Sequence, residues 1–345
     1  MLVTESNGSV WGWRVVEHGE ERRPVVGGSS GPAPSAGPDV PVASPADGGP
    51  AGPVPAVARR TVRSADGARL HAEVAGPPGA PVVVLAHGWT CDSSVWDAVV
   101  RELGPEYRVV RYDQRGHGRS PHGSARSGPQ QLAEDLCAVL EAVVEPGGRA
   151  VVAGHSMGAM AVVSAANCAA FRERVVAAVL CSTGMDGLAD RATVLPLPTV
   201  RLRRAAQSSL LRSLLPLGPV NRVSVRALAY ATLGPSPPPG AREHIARMAH
   251  ACERRGRAAW GAALAELSAY EAIGDLTVPT AVVHGTADRL TPPVHAQRTV
   301  ARLSRPEPLV LVRGAGHMTP LEAPACVAAV INGLTDRYGK GAPVV

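Results

Sequence analysis

The sequence predicts an α/β fold: a mostly parallel sheet covered by helices on both faces and interrupted by a helical insertion. Three observations predict it. From Pro81 onward, strand-length apolar runs alternate with amphipathic stretches, which signals repeated βαβ units. The alternation stops over residues 188–272, where helix-like, arginine-rich stretches and the breaker GPSPPPG carry no convincing buried strand. It then resumes with TAVVHG, VHAQRTVARL and PLVLVRG.

In order along the chain, residues 1–58 come first as a Pro/Gly-rich extension. Between Pro24 and Pro55 half of the 32 residues are proline or glycine. A segment without hydrophobic period cannot bury enough apolar surface to offset its ordering entropy, so disorder is expected. Trp11 and Trp13 are the exception within it; they read either as anchors of a docking strand or as part of a non-native extension. The core is expected over 59–187 and 273–338. It opens with TVRSADGARLHAEVAG, two short strands joined at Asp66-Gly67, and continues through VVVLAH, YRVVRYD, RAVVAGH and VVAAVLCS with helical patterns between them. The insertion should cover the carboxyl edge of the sheet, where open α/β folds bind ligands.

Composition narrows the function classes. The chain has 345 residues, 45% hydrophobic and 19% charged, as a globular protein does. Its longest apolar runs fall well short of the ~20 residues of a membrane helix. The N-terminus does not read as a secretory signal, so the cytoplasm is the expected location. The net charge is +6, but aromatics make up only 3% of residues and no interleaved basic and aromatic surface is present, which argues against a nucleic-acid partner. Six scattered cysteines suggest neither zinc nor a disulfide framework, and all are expected as free thiols. No phosphate-cradling glycine motif follows a strand, so no cofactor and no metal are expected.

The chemistry centres on GHSMG, residues 154–158, set between a strand and an apolar helix. A serine at such a sharp turn projects its Oγ above the sheet. The flanking glycines remove side chains that would collide, and the helix aims its positive end at a developing oxyanion. A serine hydroxyl needs a base, and the base needs an orienting carboxylate. TAVVHG runs into a loop carrying Asp288, and PLVLVRG into a loop carrying His317, in the order serine, acid, histidine. Taken singly, Asp288 also reads as a loop-capping carboxylate and His317 as a solvated loop histidine. HGWT, after VVVLA, turns at Gly88 and presents the Trp89 N–H; with the Met157 N–H it supplies two oxyanion donors. The Trp89 side chain lines an acyl pocket or packs on the insertion. His87, Arg115 and His117 read as loop supports, and His155 as buried against the sheet.

PVVVLAHGWT, YDQRGHGRS, GHSMG, HGTADRLTPP and GAGHMTPLEAP together resemble the α/β-hydrolase superfamily over nearly everything from residue 60 to 338. The resemblance implies Ser156, Asp288 and His317 as triad, Trp89 and Met157 as oxyanion amides, and residues 188–272 as a cap. The HGGG form of the oxyanion loop is absent. Epoxide hydrolase and haloalkane dehalogenase branches use an aspartate nucleophile, against which Ser156 argues. A small-molecule carboxylic ester is the expected substrate, cleaved through an acyl-enzyme. Acyl transfer, thioester or carbon–carbon hydrolysis, and a non-catalytic binding protein are the alternatives.

Residues 188–272 hold 12 arginines against 5 acidic residues. The stretch 201–215 reads as an amphipathic helix with Leu202, Leu210 and Leu214 on one face and Arg201, Arg204 and Arg212 on another. Packing of those leucines on the sheet domain is the expectation. The alternative is that the basic surface attracts an anionic substrate or gives weak association with an acidic lipid surface, without stable membrane insertion.

Overall fold

A computed structural model describes residues 14–16, 57–123, 126–195, 197–215 and 217–339. Nine strands form one sheet among them: β1 (Arg14–Val16), β2 (Ala58–Arg63), β3 (Arg69–Ala75), β4 (Val82–Ala86), β5 (Arg108–Tyr112), β6 (Ala150–His155), β7 (Val175–Cys181), β8 (Thr280–Gly285) and β9 (Pro306–Val312). Their order is β1-β9-β8-β7-β6-β4-β5-β3-β2. All neighbours are parallel except β5 with β3 and β3 with β2. The β2–β3 hairpin turns at Gly67, whose φ of 83° suits a residue without Cβ.

Helices α1 (Asp97–Leu103), α2 (Pro129–Val143), α3 (Met157–Ser164) and α4 (Ala169–Arg174) fill the first half. The insertion carries α5 (Leu188–Arg191), α6 (Val200–Leu211), α7 (Arg222–Thr232), α8 (Ala241–Ala251) and α9 (Arg254–Glu266), all between β7 and β8. After it come α10 (Val294–Arg302), α11 (Thr319–Glu322) and α12 (Pro324–Leu334). Side chains alternate across the sheet. Val84, Ala86 and Val152 join one core with Leu136 and Met160, while Val83, Leu85 and Val151 join the other with Val99 and Ile331. Both faces are therefore buried, which is why these strands read as unbroken apolar runs.

Two features place the site. The chain leaves β4 to one side for β5 and returns on the other for β6, so the loops after β4 and β6 lie together at a topological switch point. The insertion leaves and rejoins the sheet at adjacent points: Asp186 bridges Ser268 antiparallel, and the Ala269 N–H donates to the Met185 carbonyl at 2.7 Å.

Three expectations need correction. Within residues 1–58, expected to be disordered, Arg14–Val16 forms a strand that pairs with Val310–Val312, because an edge strand needs only main-chain partners. β2 also begins one residue early, at Ala58. Trp11 and Trp13 lie outside the described residues. Cys137 and Cys168 are joined as a disulfide with Cα atoms 6.6 Å apart, and not left free; the packing of α2 against α4 brings them together across 31 residues of sequence. Finally, α6 ends at Leu211, and Leu202, Leu210 and Leu214 are exposed. Its buried position is Gln207, whose amide donates to the Ala192 carbonyl.

Candidate active site

Ser156 follows the last residue of β6 and starts α3, with φ 51° and ψ −114°. A positive φ is strained for a non-glycine residue and needs surrounding structure to hold it. Its N–H donates to the Cys181 carbonyl at 2.9 Å, and its own carbonyl accepts from Ala159, Met160 and the Thr183 hydroxyl. The turn also requires close backbone approach. A Cβ on Gly158 would lie 2.1 Å from the Ala86 carbonyl oxygen, and one on Gly154 would lie 2.4 Å from the Gly158 carbonyl carbon. Only glycine fits either position.

The β4 loop packs beside this turn. A Cβ on Gly88 would come within 3.1 Å of the Ser156 Cβ. His87 braces the loop, with Nδ1 2.8 Å from the Gly88 carbonyl and Nε2 accepting the Gln114 N–H at 2.9 Å. The carbonyl contact puts the proton on Nδ1. Thr90 follows with φ 60°. Among the described residues no backbone carbonyl accepts the N–H groups of Trp89 and Met157, the second because it opens a helix. The two alternatives for the Trp89 side chain occur together: it lines the cavity, and its indole N–H donates to the Arg257 carbonyl of the insertion at 2.9 Å.

His317 and Asp288 meet from the loops after β9 and β8. His317 Nδ1 lies 2.9 Å from Asp288 Oδ2. Asp288 is buried, and its other oxygen accepts the N–H groups of Leu290 and Thr291, each at 2.9 Å. One oxygen of this carboxylate therefore caps its loop and the other lies against His317. Burial by itself would raise the Asp288 pKa; the His317 charge and hydrogen bonds from His284 and His317 outweigh it and hold the carboxyl well below its ordinary range. The imidazole is seated from a second side, because His155 Nε2 donates to the His317 carbonyl at 2.9 Å. Burial first, and the neighbouring His317 charge second, push His155 down to about 3, so it is neutral. Ser156 Oγ and His317 face one cavity but form no hydrogen bond with each other, and such contacts commonly tighten only with substrate.

Residues not read from the sequence complete the arrangement. The Thr291 hydroxyl donates to Asp288 Oδ2 at 2.8 Å and lies 3.2 Å from His317 Nδ1. The buried Glu322 carboxylate accepts N–H groups from Gly234, Gly316 and Met318 at 2.7–3.2 Å, tying the His317 loop to the insertion. Burial raises its pKa against the opposing effect of those donors. The order Asp-x-x-Thr in TADRLTPP was the one available signal for Thr291, as a local side-chain-to-backbone turn. Glu322 had none, since its partners are distant in sequence. Arg115 and His117 are loop supports. Arg115 is fully buried in ion pairs with Asp135 and Asp66, and His117 Nδ1 lies 3.1 Å from the Arg115 carbonyl.

The cavity measures about 470 Å³ and is lined mostly by aliphatic side chains of the insertion, among them Leu188, Leu211, Leu228 and Leu264. Arg257 is the one charged side chain that the insertion contributes to the wall; it is buried, with Nη2 donating to the Ser213 and Leu215 carbonyls. Among the described residues no group of three or more His, Cys, Asp or Glu could hold a metal ion.

The chain is 38% identical over 105 residues to the probable oxidoreductase EphD of Mycobacterium tuberculosis, covering 30% of this chain and 18% of that protein. It is 39% identical over 98 residues to the bifunctional esterase/perhydrolase DCH of Acinetobacter calcoaceticus, covering 28% and 35%. The match thus spans about a fifth to a third of those relatives' lengths. A longer match, 25% identical over 279 residues, is to the 2-(acetamidomethylene)succinate hydrolase of Mesorhizobium japonicum, covering 79% of this chain and 95% of that one. The fold is similar to that of an esterase from Thermogutta terrifontis, with TM-score 0.65 and 24% identity over 81% of this chain and 98% of that one. It is also similar to that of the enol-lactonase from Burkholderia xenovorans, with TM-score 0.63 and 22% identity over 80% and 100%. Residues 83–330, which carry Trp89, Ser156, Asp288 and His317, match the family described as the alpha/beta hydrolase family, and with that the chain belongs to it.

Proposed function

We propose that the protein is a serine hydrolase that cleaves carboxylic esters with an apolar acyl group through an acyl-enzyme intermediate. The observation that carries this reading is the His317–Asp288 contact at 2.9 Å, on the same cavity as a strained, helix-starting Ser156. With its Nδ1 proton directed at Asp288, His317 keeps Nε2 free to accept a proton. Ser156 Oγ attacks the ester carbonyl as its proton passes to Nε2. The carbonyl oxygen takes the negative charge and is held by the Trp89 and Met157 N–H groups, with the start of α3 adding its positive dipole end. Collapse expels the alcohol, which takes the proton from His317. Water, deprotonated by the same nitrogen, then releases the acid and restores the serine. The insertion acts as the cap, and its leucines supply most of the acyl wall. Relatives named as an esterase/perhydrolase and as a hydrolase support acyl chemistry at this site.

Fluorophosphonate labelling of the purified chain and of Ser156→Ala tests the proposal. Labelling of the wild type and none of the variant is expected, together with a loss of ester turnover by several orders of magnitude. Labelling that persists in the variant would move the nucleophile elsewhere.

A further inference from the structure

Eleven large apolar side chains are exposed among the described residues, and nine of them lie between Val200 and Tyr230. They belong to α6, the segment that follows it and α7, with Val223 76% and Leu215 74% exposed. Scattered exposed leucines need no explanation, but nine apolar side chains on one stretch of chain, whose elements border one cavity, mark a surface that is covered when the protein works. Charge says what covers it. Between Asp190 and Glu243 the chain carries eight arginines and no acidic residue at all. Arg204 pairs with Asp190 and Arg212 with Glu266. Arg201, Arg222 and Arg226 are exposed and have no acidic partner among the described residues.

The apolar group also reaches the cavity. Leu210, Leu215 and Leu217 are exposed on the outside and line the cavity on the inside. A second copy of this chain would set arginine against arginine across the contact. An anionic lipid surface offers phosphates to the guanidinium groups and hydrocarbon to the leucines. It would also let an acyl chain pass from bilayer to cavity without crossing water. No helix among the described residues is long and apolar enough to cross a membrane, so the contact is peripheral.

We propose that the outer face of the insertion, from Val200 through α7, docks on an anionic phospholipid surface with the cavity mouth turned toward the bilayer. The proposal does not depend on the chemistry at Ser156, and Ser156→Ala protein serves for the binding measurements. Co-sedimentation would use vesicles of phosphatidylcholine containing one-third phosphatidylglycerol, and vesicles of phosphatidylcholine alone. Binding to the first at least about tenfold above the second is expected, weakening as salt rises from ~0.1 M to ~1 M and the Debye length shrinks. In Leu214→Glu/Val223→Glu, two positions outside the cavity wall, binding should fall about tenfold or more with the melting temperature unchanged. Arg222→Gln/Arg226→Gln should reduce it in the same direction without new charge on the apolar face.

Equal binding to both vesicle types, binding to neither, or binding unchanged in both double variants would overturn the proposal. A concentration-dependent dimer in sedimentation velocity that Val223→Glu abolishes would also overturn it, by making the face a contact between copies. Absence of fluorophosphonate labelling would strike the hydrolase reading and leave this one standing.

Discussion

Asp288 holds its charge in a fully buried place because His317, His284, Thr291 and two main-chain N–H groups face it. Asp288→Asn keeps the shape but presents an amide to Nδ1, which favours the tautomer with its proton on the wrong nitrogen. A fall in kcat of roughly three to four orders of magnitude is expected, measured at neutral pH with a soluble ester. Near-normal turnover would assign the orienting role to another carboxylate. Thr291→Val removes one donor to the same oxygen. With about 1–1.5 kcal/mol at stake in one such bond, a roughly tenfold fall in kcat is expected, and an unchanged kcat would reduce Thr291 to loop packing.

At the scale of elements, Gly158 is a point where α3 lies close against β4. Gly158→Ala would drive a methyl group into the Ala86 carbonyl, which a backbone atom cannot evade by changing rotamer. A loss of about 3 kcal/mol or more is expected, read from urea unfolding; wild-type stability would show that β4 and α3 separate freely. The strands were legible because a doubly covered sheet demands unbroken apolar runs, and β8 occupies the TAVVHG run itself. The placement of Ser156, Asp288 and His317 in loops at strand ends was legible because strand ends fix where loop residues converge. The orientation of α6 was not. Its periodicity defines two faces but does not say which one turns inward, and a polar Gln207 bonded to Ala192 occupies the inner side. Glu322 and the Cys137–Cys168 pair were illegible for a related reason: their partners are assembled only by packing.

For the whole molecule, buried histidines set the response to acid. Burial first, and nearby positive charge second, push His155 and His117 down to about 3 and His295 to about 4. The folded chain keeps all three neutral between about pH 4 and the ordinary value of 6.5, while the unfolded chain protonates them. Unfolding then takes up as many as three protons at these rings, and His87, also held low by burial, acts in the same direction, so stability is fully present above that ordinary value and declines as pH falls through the window. Urea midpoints at pH ~7.5 and ~5 should differ in that sense, with three protons corresponding to about 4 kcal/mol per pH unit at most. A flat profile would mean that water reaches these rings in the folded state.

The Asp186–Ser268 bridge has an engineering consequence. The intervening segment enters and leaves through one doorway, and β7 and β8 pair directly from Ala178–Cys181 to Thr280–Val283 beneath it. That makes it a cassette. A foreign helical segment spliced between Met185 and Ala269 would meet the same pair of ends, but it would have to supply again the Thr232 carbonyl that accepts the His317 N–H and the Gly234 N–H that donates to Glu322 before the loop bearing His317 kept its place beneath a new roof.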